Sequence, residues 1–277
     1  MSIRRRALPE GWYPGEAVAL RRLVAGWSLP EPAGAARAAI APHAGFAFSG
    51  RIAAIAWSSL GETETVVIVG GHLSAASPIL VAPEEAFESP LGQLQADLEL
   101  KTRLLESLGA AGLRVAADRD VDNTVEVQLP LAALYAKEAR ILWLRAPANS
   151  SAIGLGRSIR EAAASLGRRV AVLGSTDLTH YGPDYGFEPA GSGEEAERWV
   201  REVNDRGFLD ALLDNDGEGA LRRAREDGSA CSPGAAAAAL SFALAEGGKG
   251  LAELAYSTSL EVRRSHSFVG YAALAGV

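Results

Sequence analysis

A chain of 277 residues with 48% hydrophobic residues can bury a sizeable core, enough for one large domain or two small ones. Its net charge of −7, with acids and bases interspersed, lacks the basic stripe that nucleic-acid binding requires, so neither DNA nor RNA is an expected partner. A single cysteine, Cys231, excludes an internal disulfide. No apolar stretch reaches the ~18 residues of a membrane span, and no apolar segment follows the basic residues of MSIRRRALPEGWYPGE, so no membrane is expected and the expected compartment is the cytoplasm.

Short runs rich in β-branched residues alternate with longer amphipathic or alanine-rich stretches, the pattern of α/β architecture. A first helix is predicted over Gly15 to Gly26, then a strand over Arg37 to Ala41 and a helix over Gly50 to Leu60. Strand Thr65 to Gly70, helix Gln95 to Leu108, strand Leu113 to Ala117 and helix Val125 to Ala136 follow. Next come strand Arg140 to Leu144, helix Ile153 to Leu166 and strand Arg169 to Gly174. The glycine- and proline-rich Gly182 to Gly193 reads as a loop, either a lid or plain surface. Helices over Glu194 to Asp214, Gly217 to Glu226 and Ser232 to Glu246 lead to strands at Ala252 to Val262 and Ser267 to Leu274. That last pair is expected to be antiparallel, at one side of the sheet. The whole is expected to form a three-layer α/β/α sandwich with a mixed, mostly parallel central sheet.

Three of the four histidines follow a predicted strand closely: His43 ends RAAIAPH, His72 ends TVVIVGGH and His180 ends VAVLGSTDLTH. Ligands of open α/β sheets bind at the carboxyl ends of strands, so three segments deliver an imidazole to one edge. Gly45, Gly70 and Gly71 beside them allow a close backbone approach. Cys231, in GSACSPGAAAAAL, lies at the start of the alanine-rich helix with Pro233 in its first turn; the segment suits a thiolate favoured by the helix dipole as well as a buried structural cysteine. Asp177 and His180 are three residues apart in GSTDLTHYG, a spacing that suits an imidazole oriented by a carboxylate as well as a capped turn with an exposed histidine. Asp122 or Asn123 reads as an N-cap, with Glu126 completing a capping box. His266, between two serines, reads as a surface residue. Gly154-Leu155-Gly156 lacks the third glycine of a dinucleotide fingerprint, and neither a phosphate loop nor a nucleophile elbow occurs.

IAPHAGFAFSG, VVIVGGHLS, the DNTVEVQLP segment, GSTDLTHYG, ACSPG and the closing SFVGYAALA occur in the order and spacing of the Memo family. The opening LPEGWYPGE resembles that family's start, and the likeness extends over residues 1–277 as a single Memo-like domain. Bacterial and archaeal members are known as AmmeMemoRadiSam system protein B, and the animal member is a mediator of cell motility. The resemblance implies a fold similar to class III extradiol ring-cleavage dioxygenases. It also implies a redox metal on His43, His72 and Cys231, with Fe(II) the expected cofactor and copper the second candidate. His180, with Asp177 beside it, falls where the dioxygenases carry their acid/base histidine. Asn123, Glu126 and Gln128 are expected to line the substrate pocket. Asn123 and Gln128 stand where many members have histidines, and neither amide shuttles protons near neutral pH. Two functions therefore stay open: an oxidoreductase acting on a small molecule, by analogy an aromatic diol, or a non-catalytic module that binds metal or a peptide. Radical-SAM and AMMECR-type proteins are the partners that the family's name implies.

Overall fold

A computed structural model describes residues 1–31 and 36–276. In chain order the elements are β1 (Ile3–Arg4), α1 (Ala17–Ala25), β2 (Ala38–Ala41), α2 (Phe46–Ser59), β3 (Thr65–Gly70), β4 (Ile79–Val81), β5 (Ala86–Ser89), β6 (Gly92–Gln95) and α3 (Leu98–Ala110). They continue with β7 (Val115–Ala117), α4 (Asn123–Glu126), α5 (Leu129–Tyr135), β8 (Arg140–Arg145), α6 (Ser151–Ser165), β9 (Val170–Ser175), β10 (His180–Tyr181) and a 3₁₀ turn, Pro183–Tyr185. Then come α7 (Glu194–Trp199), a π turn (Val200–Asn204), α8 (Asp205–Leu213), α9 (Gly217–Asp227), α10 (Pro233–Ala245), β11 (Leu251–Thr258), a 3₁₀ turn (Ser259–Glu261) and β12 (Phe268–Gly276).

The main sheet runs β10-β12-β2-β9-β3-β8-β4-β7, with β11 on β12. It is mixed, as expected, with four parallel strands at its centre: β2, β9, β3 and β8. Antiparallel junctions to β12 and β4 bound that centre, so the parallel part is smaller than expected. β11 and β12 form the predicted antiparallel pair.

Alternation along the central strands sorts the core into two layers, because successive side chains leave a strand on opposite faces. Val67 and Val69 of β3 join Ile40, Leu142 and Leu144 under α3, α6 and α10. Val66 and Ile68 join Ala39, Ile141 and Trp143 under α2 and α5. Both faces are covered, so the central strands read as continuous apolar runs. No helix among the described residues is long and apolar enough to cross a membrane.

Several boundaries differ from expectation for local reasons. Gln95 ends β6 instead of starting a helix, and α3 begins at Leu98 because the Asp97 carboxylate accepts from Leu100 N at 3.0 Å. The helix expected over Val125 to Ala136 divides into α4 and α5, with Pro130 in the first turn of the second. The strand expected to reach Val262 ends at Thr258 and turns at Ser259–Glu261. Short β1, β5 and β6, which form a separate sheet, carry too few residues for a period to register.

Gly156 has a packing role in place of a nucleotide-binding one. A Cβ there would lie 2.3 Å from Ala238 O and 2.8 Å from Phe242 N, so it lets α6 and α10 touch along their backbones. An exposed helical Gly→Ala change stabilises by ~1 kcal/mol. Here overpacking dominates, and Gly156→Ala is expected to destabilise by about 1–3 kcal/mol, read from the denaturant midpoint. A midpoint at or above that of the unsubstituted protein would show that the two helices separate freely.

Candidate metal centre

β2, β9 and β3 are adjacent and parallel, so their carboxyl ends open on one edge. His43 follows β2, Asp177 follows β9 and His72 follows β3, while Cys231 arrives from the residue before the Ser232 cap of α10. The glycines before His72 are there for space. A Cβ on Gly70 would sit 2.0 Å from Thr124 Oγ1, and one on Gly71 would sit 2.4 Å from Ser232 Cβ. His72 itself has φ 55°, in the left-handed region that non-glycine residues enter at a cost of about 1–2 kcal/mol. Its backbone N–H donates to Ser232 Oγ at 3.2 Å, which helps hold that conformation.

The ligating atoms of His43, His72 and Cys231 lie within 4.8 Å of one another. Cys231 Sγ is 3.1 Å from His43 Nε2, and the two imidazoles meet edge to face with centroids 5.0 Å apart. Each imidazole has its other nitrogen engaged. His43 Nδ1 is 3.3 Å from Ser175 Oγ, and His72 Nδ1 is 3.2 Å from Asp122 Oδ2. Such partners fix ring orientation and leave Nε2 to a metal.

Of the two N-cap candidates, Asp122 and Asn123, the cap is Asp122, accepting from Thr124 N at 2.9 Å. It also lies 3.3 Å from Arg145 Nη1, and buried Arg145 pairs with Asp118 and Asp120 at 2.9 and 2.8 Å. Burial raises the Asp122 carboxyl, but His72, Thr124 and Arg145 outweigh burial and hold it at about 2. Burial likewise raises the Cys231 thiol, and His43 and His72 overcome it, bringing it down to about 5. Burial lowers His43, yet Cys231 and Asp177 raise it to about 9. Burial also lowers His72, and the bonds from Asp122 and Cys231 raise it to about 10. Without metal these mutual interactions favour the thiolate of Cys231 and the protonated forms of the imidazoles beside it.

A cavity of about 410 Å³ opens beside these residues, walled by Trp12, Phe48, Tyr185 and Tyr271 and bordered by Asn123, Asp177 and His180. Asp184 and Arg263 stand at its exposed rim. The 3₁₀ turn holding Asp184 and Tyr185 makes the first half of the Gly182–Gly193 loop a cavity wall. His180 Nδ1 is 3.1 Å from Leu178 O; a carbonyl only accepts, so the ring proton lies on Nδ1 and Nε2 is left as an acceptor. A wider cleft of about 850 Å³ lies at the opposite edge of the sheet, lined by Trp57, Asp97 and Arg168 among others. No histidine or cysteine lines it, and its Asp97 and Arg168 pair with each other.

Three expectations need correction. Asp177 does not orient His180: its Oδ1 accepts from the backbone N of His43 at 2.7 Å, and Oδ2 lies 3.9 Å from His43 Nε2. Glu126 faces away from the cavity and completes no capping box; it accepts from Ala7 N, Leu8 N and, at 2.8 Å, Tyr13 OH, tying down the N-terminal segment that carries Trp12. Gln128 is buried behind the site, donating to Pro42 O and Ser175 Oγ while accepting from Trp57 Nε1. Asn123 does line the cavity, with Nδ2 3.2 Å from His43 O. His266 is exposed, as expected. Ser175, Arg145 and Tyr185 escaped the sequence reading; Ser175 and Arg145 end strands β9 and β8 on the same edge as His43 and His72.

The family model described as Memo-like protein matches residues 4–275. The chain belongs to the Memo family. It is 32% identical over 288 residues to a MEMO1 family protein of Thermococcus onnurineus, covering 98% of each chain. It is 36% identical over 250 residues to one of Pyrococcus abyssi, covering 86% of this Memo chain and 85% of that one. In shape it is similar to the crystal structure of an uncharacterized Escherichia coli K12 protein, JW3007. The TM-score is 0.50 at 13% identity, over 80% of this chain and 91% of that one, a likeness of fold alone.

In the metal-stripped Memo chain, iodoacetamide labelling of Cys231 is expected to have its midpoint near pH 5 instead of the ~8.5 of an ordinary thiol. The sign follows from the lowered value: the thiolate is present above it and is lost as pH falls through it. A midpoint at the ordinary value would mean that the imidazoles do not stabilise the anion. Glu126→Ala orphans three donors and is expected to destabilise by about 1–3 kcal/mol and to open Arg4–Arg6 to trypsin. An unchanged denaturant midpoint and digestion pattern would contradict the tether.

Proposed function

We propose that His43, His72 and Cys231 hold Fe(II), with copper the second candidate, and that the protein is a dioxygenase-like oxidoreductase acting on a small aromatic diol. The observation that carries this reading is the convergence of two imidazoles and a thiolate within 4.8 Å, beside a cavity with aromatic walls. The donor set fits the metal on chemical grounds: nitrogen and thiolate ligands suit iron, copper or zinc and disfavour magnesium and calcium. When bound, a redox metal supplies Lewis acidity and electron transfer at this edge of the sheet.

The chain's own residues supply the rest. His180 Nε2, free because Nδ1–H is committed to Leu178 O, accepts the proton of a ligand hydroxyl. Trp12, Phe48, Tyr185 and Tyr271 stack on a planar ring and exclude water. Asn123, bonded to His43 O, presents an amide and carries no proton. That last feature favours a second reading, a module that binds metal or a peptide without turnover, alongside radical-SAM or AMMECR-type partners.

Anaerobically purified protein is expected to contain near-stoichiometric iron or copper, lost in His43→Ala, His72→Ala and Cys231→Ser. Metal-loaded His180→Gln is expected to keep its metal and to lose about 10²–10⁴-fold in O₂ uptake with catechols. If the reconstituted protein binds no better than the three variants, the metal reading fails. Metal binding without any catechol-dependent O₂ uptake favours the second reading.

A further inference from the structure

The segment that carries His180 rests on a buried carboxylate that none of the chemistry above uses. Asp205 and Thr179 are both fully buried. Asp205 Oδ1 accepts from Thr179 N at 3.0 Å and from Thr179 Oγ1 at 2.5 Å, while Tyr256 OH donates to Oδ2 at 2.6 Å. The adjacent Asn204 donates from Nδ2 to Thr179 Oγ1 at 2.9 Å and to Asp227 O at 3.0 Å. Neighbouring residues of a regular helix point in different directions. Here the π turn Val200–Asn204, immediately before α8, lets two consecutive side chains reach one threonine, and such turns recur at functional sites.

The opposite side is fitted to the same carboxylate. Gly270 N donates to Thr179 O at 3.0 Å, and Leu178 N donates to Gly270 O at 2.9 Å. A Cβ on Gly270 would lie 2.1 Å from Asp205 Oδ2. Thr179 is thereby held at its N–H, its carbonyl and its hydroxyl. No cation lies within 4 Å of Asp205 among the described residues, and burial, the largest influence, pushes its carboxyl up to about 6 despite its donors. A buried carboxylate satisfied by neutral donors alone costs stability that an apolar residue would not. What it secures is the backbone on which Leu178 O meets His180 Nδ1.

We infer that Asp205, together with Asn204, is a positioning residue that locks Thr179 and so holds His180 in its Nδ1–H tautomer, with Nε2 free to take a proton. The inference rests on the reading of His180 as the proton acceptor of the site.

Histidine side-chain ¹H–¹⁵N correlation spectra of the full chain test it, with four histidines to resolve. The Nδ1–H form of His180 should predominate in the unsubstituted protein. Asp205→Asn and Thr179→Val keep the shape of their sites and should each lower the ratio of Nδ1–H to Nε2–H roughly five- to tenfold, the weight of about one hydrogen bond. Metal affinity at His43, His72 and Cys231 should stay within about twofold, well below the tenfold that ~1.4 kcal/mol represents. A purely structural role would lower the melting temperature without moving the tautomer. An unchanged His180 tautomer in both folded variants overturns the inference, and Asn204→Ala supplies the reading should Asp205→Asn fail to fold. If the unsubstituted protein binds no metal while the tautomer shift persists, the proposed function falls and the positioning role stands.

Discussion

The geometry of the centre depends on how closely helix α10 approaches the carboxyl edge of the sheet. Four glycines clear its path. A Cβ on Gly71 would strike Ser232, one on Gly234 would lie 2.2 Å from Pro147 O, one on Gly174 2.6 Å from Ala235 O and one on Gly156 2.3 Å from Ala238 O. The helix itself contributes a run of alanines, Ala235 to Ala239, all fully buried. Small residues on both sides bring backbones together with little side-chain entropy to lose. Its N-terminus then becomes an anchor: Ser232 N donates to Thr176 Oγ1 at 3.1 Å and Cys231 N to Asp177 O at 3.3 Å. Because Asp177 also takes the backbone N–H of His43, one residue fixes two of the three candidate ligands relative to each other.

The third candidate ligand is tied in through charge. His72 is the most exposed of the three and sits in an unfavourable backbone region, so local propensity does not hold it. Asp122 does, and the bonds from His72 and Thr124, with Arg145 beside them, keep Asp122 anionic against its burial; Arg145 in turn is balanced by Asp118 and Asp120. Trp143 adds an N–H to Asp118 at 2.9 Å. Buried charges of this kind gain little net stability, while losing one member of such a pair costs about 3–5 kcal/mol. The network therefore reads better as a device for aiming His72 Nε2 than as a source of stability.

The fold was legible where the chain is periodic. Val66 to Val69 and Ile141 to Leu144 alternate between two covered faces, and any pattern-based reading finds them as strands. The site was legible where chemistry is rare: four histidines and one cysteine in 277 residues leave few ways to place a metal at the strand ends. What escaped was whatever depends on distant partners. Asp122 looks like a cap and is one, but nothing local marks its second bond to His72, 50 residues away. Asp177 and His180 are close in sequence, which suggested a pair; the irregular segment between β9 and β10 and the register of β10 on β12 send their side chains to different neighbours. Glu126 and Gln128 sit in a segment read as pocket-lining, yet the break between α4 and α5 turns both inward.

That inward turn bears on where protons go. Gln128 joins Pro42 O, Ser175 Oγ and Trp57 Nε1, a set one amide satisfies in full because it donates and accepts at once. An imidazole there has two nitrogens for three partners, so it would have to give up one of these bonds whether neutral or charged. The glutamine thus suits a rigid support behind His43 and Ser175. Asn123 does the same at the cavity wall, its Nδ2–H bracing the His43 carbonyl without shuttling a proton. Among the histidines that line the cavity, two are candidate ligands, and His180 alone remains free to accept. On the proposed function, proton transfer by an imidazole at this edge passes through Nε2 of His180, and the Nδ1–H tautomer set by Leu178 O is the form that can accept there.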